Sequence, residues 1–411
     1  MDTLPAVLQL AKLEDLPPAT EAPRKLSGWS PSLLAGLWTW LAGLVAYAAV
    51  TYLVWIPFYK IESKAGPRPG SFTEVLSLWQ RWDTNWYTII ATRGYGYDAA
   101  HTTAFFPLYP ASVRAANLVL PGGALVAGLV VSGVCAYAAL VLLHRLALDV
   151  LGDEAGARRA AFYVLAFPAG FFLMAAYNES MFIALATASL YGMRRGHWWA
   201  AGGLAALASA TRSTGVLLAA AFAYEYLRRW QPRRLRWDAA AILLVPLGIL
   251  AYAGYCWHRF GDPLIFLSAQ ENWHRTETVP PWETLANAGD LLIRQSTIFT
   301  HDSVHGIMNL AAALGTITVL VLALVGPWKL GKENAYLVVY AFPSALVPLL
   351  VPLQTTYPLG SMLRFVIEYV PVFLVLAKMG RNANFDRLFV ITAVAVQSVL
   401  LVAFLHNQFV A

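Results

Sequence analysis

Long runs without a single Asp, Glu, Lys or Arg constrain this chain more than anything else in it. Residues 34–58, 122–143, 160–178, 239–257, 307–328, 335–353 and 388–405 are all of this kind. A helix rises about 1.5 Å per residue, so each run is long enough, or nearly so, to cross a hydrocarbon core of roughly 30 Å. Only 13% of the residues are charged and 58% are hydrophobic, whereas soluble domains carry about 25% charged residues. The chain therefore reads as an all-α polytopic membrane protein. Residues 180–193, 199–211 and 213–227 add shorter apolar pieces, and 362–378 is a span interrupted by Arg364 and Glu368. The sum is a bundle of about eleven crossings.

The distribution of Lys and Arg orients the bundle. With residues 1–33 as a cytoplasmic tail, polar, Pro-bearing and without a signal peptide, the loop 228–236 with its five Arg lies inside. So do Lys329, Lys332, Arg158, Arg159, Arg194, Arg195, Lys378 and Arg381. Residues 34–406 then form one transmembrane domain, with long outer loops at 59–121 and 258–305. This parity requires that 104–120, with Pro107, Pro110 and Arg114, does not cross. Residues 71–93 mix Trp, Tyr and charge and are expected as amphipathic helices on the outer surface.

Several function classes drop out. The net charge of +6 is spread over short loops and forms no nucleic-acid-binding patch. Cys135 and Cys256 both sit in apolar runs, which excludes a disulfide framework and a Cys-based metal site. No Walker or dinucleotide motif is present, so no ATP, NAD or other cofactor is expected. His101, Asp98, Glu179 and Asp83 have no metal-ligand spacing, so no metal is expected.

The topology collects the unusual polar groups on the outer face. These are Asp83 between Trp82 and Trp86, Asn178-Glu179-Ser180, Thr211-Arg212-Ser213, loop 258–305, and Gln354 to Arg364. Polar groups at membrane depth are unfavourable and usually functional, so their convergence points to a single outward-facing site. Trp82 and Trp86 suit the membrane–water interface. A carboxylate held there, Asp83, stands where it can take a proton from a hydroxyl of a membrane-anchored substrate.

Ordered motifs then carry a resemblance. They are Trp82-Asp83, Phe105-Phe106-Pro107-Leu108-Tyr109-Pro110, Tyr177-Asn178-Glu179-Ser180, Thr211-Arg212-Ser213-Thr214-Gly215, Phe260-Gly261-Asp262-Pro263 with Gln270 and Trp273, and Ser361-Met362-Leu363-Arg364-Phe365. From about residue 34 to about 375 the chain resembles the PIG-V mannosyltransferases and their bacterial relatives, within the GT-C glycosyltransferases. The resemblance implies a GT-C-like bundle, a polyprenyl-phosphate-linked mannose donor, inversion at the anomeric carbon and an essential first-loop acid, which maps onto Asp83. The expected reaction moves a sugar to a lipid or glycan acceptor hydroxyl at the outer face of the cell membrane. Arg364, with Arg212, is expected to meet the donor phosphate, for which a guanidinium fork is well shaped. Trp82, Glu179, Gln270, Trp273, His274 and Tyr109 are the expected substrate contacts.

Each residue also has a plainer reading. Asp83 can cap the helix that starts near Thr84. Glu179 can pair with Arg212, and Arg364 with Glu368 one turn on. His274 and Arg275 can be loop surface or substrate contacts, and Trp273 and Trp282 can stack on a sugar or sit in the interface. The rival function is a transporter or flippase of a lipid-linked substrate, which would want polar residues along the crossing path. Most spans here are free of charge through their middle.

Overall fold

A computed structural model describes residues 28–62, 72–229, 237–294 and 300–410. The Arg-rich loop 228–236 and the beginning of the first outer loop fall partly outside these residues. Among the described residues every regular element is helical. The principal helices are α1 (Ser30–Glu62), α2 (Asp83–Arg93), α3 (Leu108–Asn117), α4 (Gly123–Leu151), α5 (Glu154–Ala166), α6 (Glu179–Arg195) and α7 (Trp198–Ser209). They continue with α8 (Leu218–Arg229), α9 (Leu247–Phe260), α10 (Pro281–Arg294), α11 (His301–Leu324), α12 (Ala335–Leu350), α13 (Val370–Met379) and α14 (Ala383–Leu405).

Among the described residues, five helical stretches are long and apolar enough to span a membrane: Ser30–Trp55, Gly123–Leu151, Asp302–Leu324, Lys332–Leu350 and Ala383–Leu405. A sixth forms if Trp237–Leu244 and α9, bent by 43°, are one span. The remaining apolar helices are shorter. The chain is an all-α, multi-pass membrane protein. The 104–120 segment holds only α3, 10 residues long, which reaches about 15 Å and cannot cross as a helix. Residues 72–102 form a chain of short helical pieces, the longest being α2.

The expected span 160–178 is broken, a break separates the expected pieces 199–211 and 213–227, and 362–378, expected as an interrupted span, is broken as well. After Ala166, Phe167-Pro168 ends α5, because proline lacks an N–H and restricts the residue before it. Residues 169–178 then run irregularly and fully buried. Between α7 and α8 the chain breaks at Ala210–Leu217. Here Gly215 lies so close to α7 that a Cβ would stand 2.5 Å from the Ala208 carbonyl carbon. Residues Met362–Phe365 and the 3₁₀ turn Val366–Glu368 precede α13, and Ser361 enters them at φ 71°.

Non-helical backbone at membrane depth must find its hydrogen bonds inside the protein. Side-chain amides supply them. Gln397 of α14 donates to the carbonyls of Leu165 (2.7 Å) and Phe167 (2.6 Å). Asn178 donates to the Thr211 carbonyl at 2.9 Å. The Asn309 carbonyl oxygen, on α11, accepts from the Leu363 N–H at 2.9 Å. Each break is thus tied to a neighbouring element, and the three broken spans are held together.

Candidate active site

The three breaks deliver their charged residues to one place. Glu179 is in the first turn of α6, where the helix dipole favours a carboxylate. Arg212 leads the turn after α7, and Arg364 and Glu368 lie in the last break. Arg212 Nη1 is 3.1 Å from Glu179 Oε1 and 2.9 Å from Glu368 Oε1. Arg364 Nε is 3.4 Å from Glu179 Oε1. At its other end Arg364 Nη1 donates to Asp83 Oδ2 at 2.7 Å. The result is an alternating chain of charges, Asp83–Arg364–Glu179–Arg212–Glu368.

Burial grades along this chain. Glu179 and Glu368 are only 1% and 4% exposed, while Asp83 retains 23%. Asp83 is the member that faces outward. Its backbone is held in place: the Asp83 N–H donates to the Tyr177 hydroxyl at 3.2 Å, and that hydroxyl donates to the Arg81 carbonyl. Trp82, just before it, has φ 49°, a conformation that bulky residues rarely adopt. Ser361, three residues before Arg364, also has positive φ. Strained backbone of this kind clusters where a fold forces a side chain into a required position.

Asp83 is therefore not the helix cap that its neighbourhood suggested. It occupies the first helical position of α2, Trp82 is the N-cap, and no side-chain cap hydrogen bond forms. Its carboxylate goes instead to Arg364, 281 residues away in the chain. The local Arg364–Glu368 pair is also replaced: Glu368 turns to Arg212, and Arg364 to Asp83 and Glu179. Arg364 already carries two carboxylates, so a donor phosphate there would share the guanidinium with Asp83 and Glu179.

An aromatic wall rises beside Asp83. Trp86, one turn further along α2, stacks on His101 at 5.3 Å between ring centroids and on Phe105 at 6.2 Å. Trp273 meets Trp86 and Phe105 edge-on, each at 5.6 Å. Trp273 is thereby brought against the segment that carries Trp86, His101 and Phe105. His101 itself pairs with Asp98 at 3.0 Å, not with Asp83. Gln270 is half-buried, and His274 is exposed with φ 57°. Trp82 packs edge-on to Phe409 at 5.1 Å.

Tyr109 departs from its expected role. It is fully buried, and its hydroxyl bonds Ser132 at 2.7 Å and Gly128 at 3.1 Å. It pins α3 to α4 behind the site and does not face the mouth. The sequence reading missed Gln397 and Asn309, whose signal was a lone carboxamide in a charge-free run. Arg275, read as loop surface or substrate contact, is half-buried and donates to the Val351 carbonyl.

The family model described as Mannosyltransferase (PIG-V) matches residues 70–236. A GPI alpha-1,6-mannosyltransferase 2 from Cricetulus griseus is 33% identical over 178 residues, covering 39% of this chain and 36% of that protein. Its Mus musculus counterpart is 28% identical over 233 residues, 49% of this chain and 47% of that protein. The Homo sapiens counterpart is 29% identical over 178 residues, 39% and 36% of the two chains. The chain thus spans about half or less of the curated relatives it matches. No solved structure matches it. Over residues 70–236, which carry Asp83, Glu179 and Arg212, the chain is similar to the PIG-V mannosyltransferases.

Proposed function

We propose that this protein transfers a mannosyl unit from a polyprenyl-phosphate donor to a hydroxyl of a lipid or glycan acceptor, at the outer face of the cell membrane. The mannose comes from the likeness to mannosyltransferases. The carrying observation is the partly exposed Asp83 carboxylate, fixed by Arg364 at 2.7 Å beside an aromatic wall.

The acceptor hydroxyl attacks the anomeric carbon as Asp83 takes its proton. A bond forms between that carbon and the acceptor oxygen, and the bond from the carbon to the phosphate oxygen breaks. The electron pair stays on the polyprenyl phosphate, and the single displacement inverts the anomeric carbon. One negative charge disappears from Asp83 while one appears on the phosphate, so the total charge of the site is conserved. Arg364 holds the Asp83 carboxylate aimed toward the acceptor, which is electrostatic preorganisation. Stacking faces at Trp86 and Trp273 suit the apolar side of a sugar ring. Residues 34–406 act as one transmembrane domain, with 59–121 and 258–305 outside.

Two measurements test this reading. Purified protein in lipid nanodiscs is given labelled polyprenyl-phosphate mannose or a nucleotide-linked mannose, with a panel of lipid and glycan acceptors. Transfer is expected from the first donor; transfer only from the second sinks the proposal. For sidedness, Glu277→Cys and Lys332→Cys are made in a Cys135→Ala, Cys256→Ala background. Impermeant maleimide should label the first from outside and the second from inside only, and labelling of both from one side overturns the assignment.

A further inference from the structure

Three guanidiniums approach this site, and two of them are committed. Arg212 carries Glu179 and Glu368, and Arg364 carries Asp83 and Glu179. The third, Arg275, has no acidic partner among the described residues; its donor bond goes to the Val351 carbonyl, just past the end of α12. Burial, then the neighbouring Arg364 and Arg212 charges, push this guanidinium down to about 10. An arginine is normally kept away from two others unless an anion joins them.

The loop is built to hold it there. His274 adopts a left-handed conformation, which turns the chain after the 3₁₀ segment Ala269–Trp273. The His274 carbonyl accepts from the Gln354 N–H at 2.7 Å, and the Arg275 N–H donates to the Gln270 carbonyl at 3.1 Å. Loop 269–275 is thus clamped to residues 351–354. A second donor nearby is unused: the Trp273 indole nitrogen is buried with no acceptor, although its ring packs on Trp86, one turn from Asp83. Without Arg275 the cluster holds three carboxylates against two guanidiniums. That deficit would repel an incoming phosphodiester.

We infer that Arg275 is the cation that receives the donor phosphate, assisted by the Trp273 N–H, in the role first assigned to Arg364. This rests on the proposed transfer from a polyprenyl-phosphate sugar. Arg275 balances the charge that the phosphate brings to the site and the charge that builds on it as the sugar leaves. Arg364 and Arg212 stay with the carboxylates.

The bland role of Arg275 is to cap the Val351 carbonyl, and two substitutions separate the roles. Arg275→Gln keeps an N–H donor for that carbonyl and loses the charge, whereas Arg275→Lys keeps the charge. Wild type and both variants are assayed in nanodiscs with donor concentration varied. Direct binding of short-chain polyprenyl phosphate is measured in parallel by intrinsic Trp fluorescence. Arg275→Gln should raise the donor KM and weaken polyprenyl phosphate binding by roughly 10- to 100-fold, the range for a charged hydrogen bond. Arg275→Lys should recover much of both, and thermal unfolding should be nearly unchanged in each. The inference is overturned if Arg275→Gln matches wild type in KM and binding, or if only thermal stability falls. If wild type itself neither transfers from nor binds the polyprenyl phosphate, the proposed function fails before this residue is reached.

Discussion

Helix α6 carries a charge cluster at each end, about 25 Å apart by its 17 residues. Both obey the helix dipole, with Glu179 in the first turn and Arg194 and Arg195 in the last. They are built differently. At the Arg195 end, Glu225 is gripped by Arg228 and Arg229, three and four residues along its own helix, and Glu154 holds Arg158 four residues on. Those arginines are about a third or more exposed. At the Glu179 end every ion pair joins different elements, and Glu179 and Glu368 sit in or next to breaks in the spans. The local pairs at the Arg195 end decorate helices that would form anyway, and Arg195 adds one pair between helices, to Asp149 of α4. The long-range network exists only because three spans are broken and held together, which marks it as the place where the fold gives up regularity for chemistry.

Removing an acid from each end should separate the two roles most sharply. Asp83→Asn keeps the shape of the side chain and removes its basicity. It should lower kcat roughly 10²- to 10⁴-fold with donor KM little changed. Asp149, 4% exposed and 2.5 Å from Arg195, is the counterpart at the other end of α6. Asp149→Asn should lower the melting temperature and leave kcat per folded molecule intact. Near-wild-type turnover by Asp83→Asn would reduce both clusters to the same structural kind.

Glu179→Ala attacks the centre of the long-range network. Glu179 is shared by Arg212 and Arg364 and is almost fully buried. Its loss leaves two buried cations short of charge, and removing one partner from a buried ion pair costs about 3–5 kcal/mol. Thermal unfolding in detergent should show a drop far larger than for any single pair at the Arg195 end. An unchanged melting temperature would mean that Glu368 and Asp83 alone balance the arginines.

Gln397→Leu tests whether breaking the spans depends on side-chain amides. It strips the donor from the Leu165 and Phe167 carbonyls and keeps α14 apolar. Leaving such groups without a donor costs about 1–3 kcal/mol; Tyr47 still reaches Leu165 at 3.1 Å, which argues for the lower part of that range. Chemical denaturation would read it, with no loss of membrane insertion expected.

The same contrast explains what could be read from the sequence. Charge-free runs fix the membrane class because hydrocarbon admits little else, and the prolines in 104–120 fit a segment that stops at one short helix. Asp83 and Glu179 stood out because a carboxylate next to apolar spans is rare. The partners did not follow. Helix spacing offered Arg364 to Glu368, one turn away, whereas the structure joins Arg364 to Asp83 across 281 residues. Nothing local encodes that choice, since it depends on where the broken halves dock. Tyr109 was misplaced for a related reason: its motif sits next to the site in sequence, but the periodicity of α3 turns its ring inward to Ser132. Loop surface and substrate contact stayed equally open for Arg275, because the partner that holds it, the Val351 carbonyl, lies 76 residues further along.

The smallest effect is expected where the sequence reading was easiest. Arg228 pairs with Glu225 at 2.7 Å and is about one-third exposed. Water and salt screen such a pair, which limits its worth to about 0–1 kcal/mol. Arg229 would still cover Glu225 in an Arg228→Ala variant, at 2.5 Å from the same carboxylate. The dipole at the end of α8 would keep one cation as well. Melting temperature and transfer rate should therefore both stay close to wild type, and raising the salt concentration should leave the difference near zero. A loss in transfer comparable to that of Asp83→Asn would mean that the cluster at the Arg195 end reaches the one at the Glu179 end through α6. The two ends could then no longer be treated as separate devices.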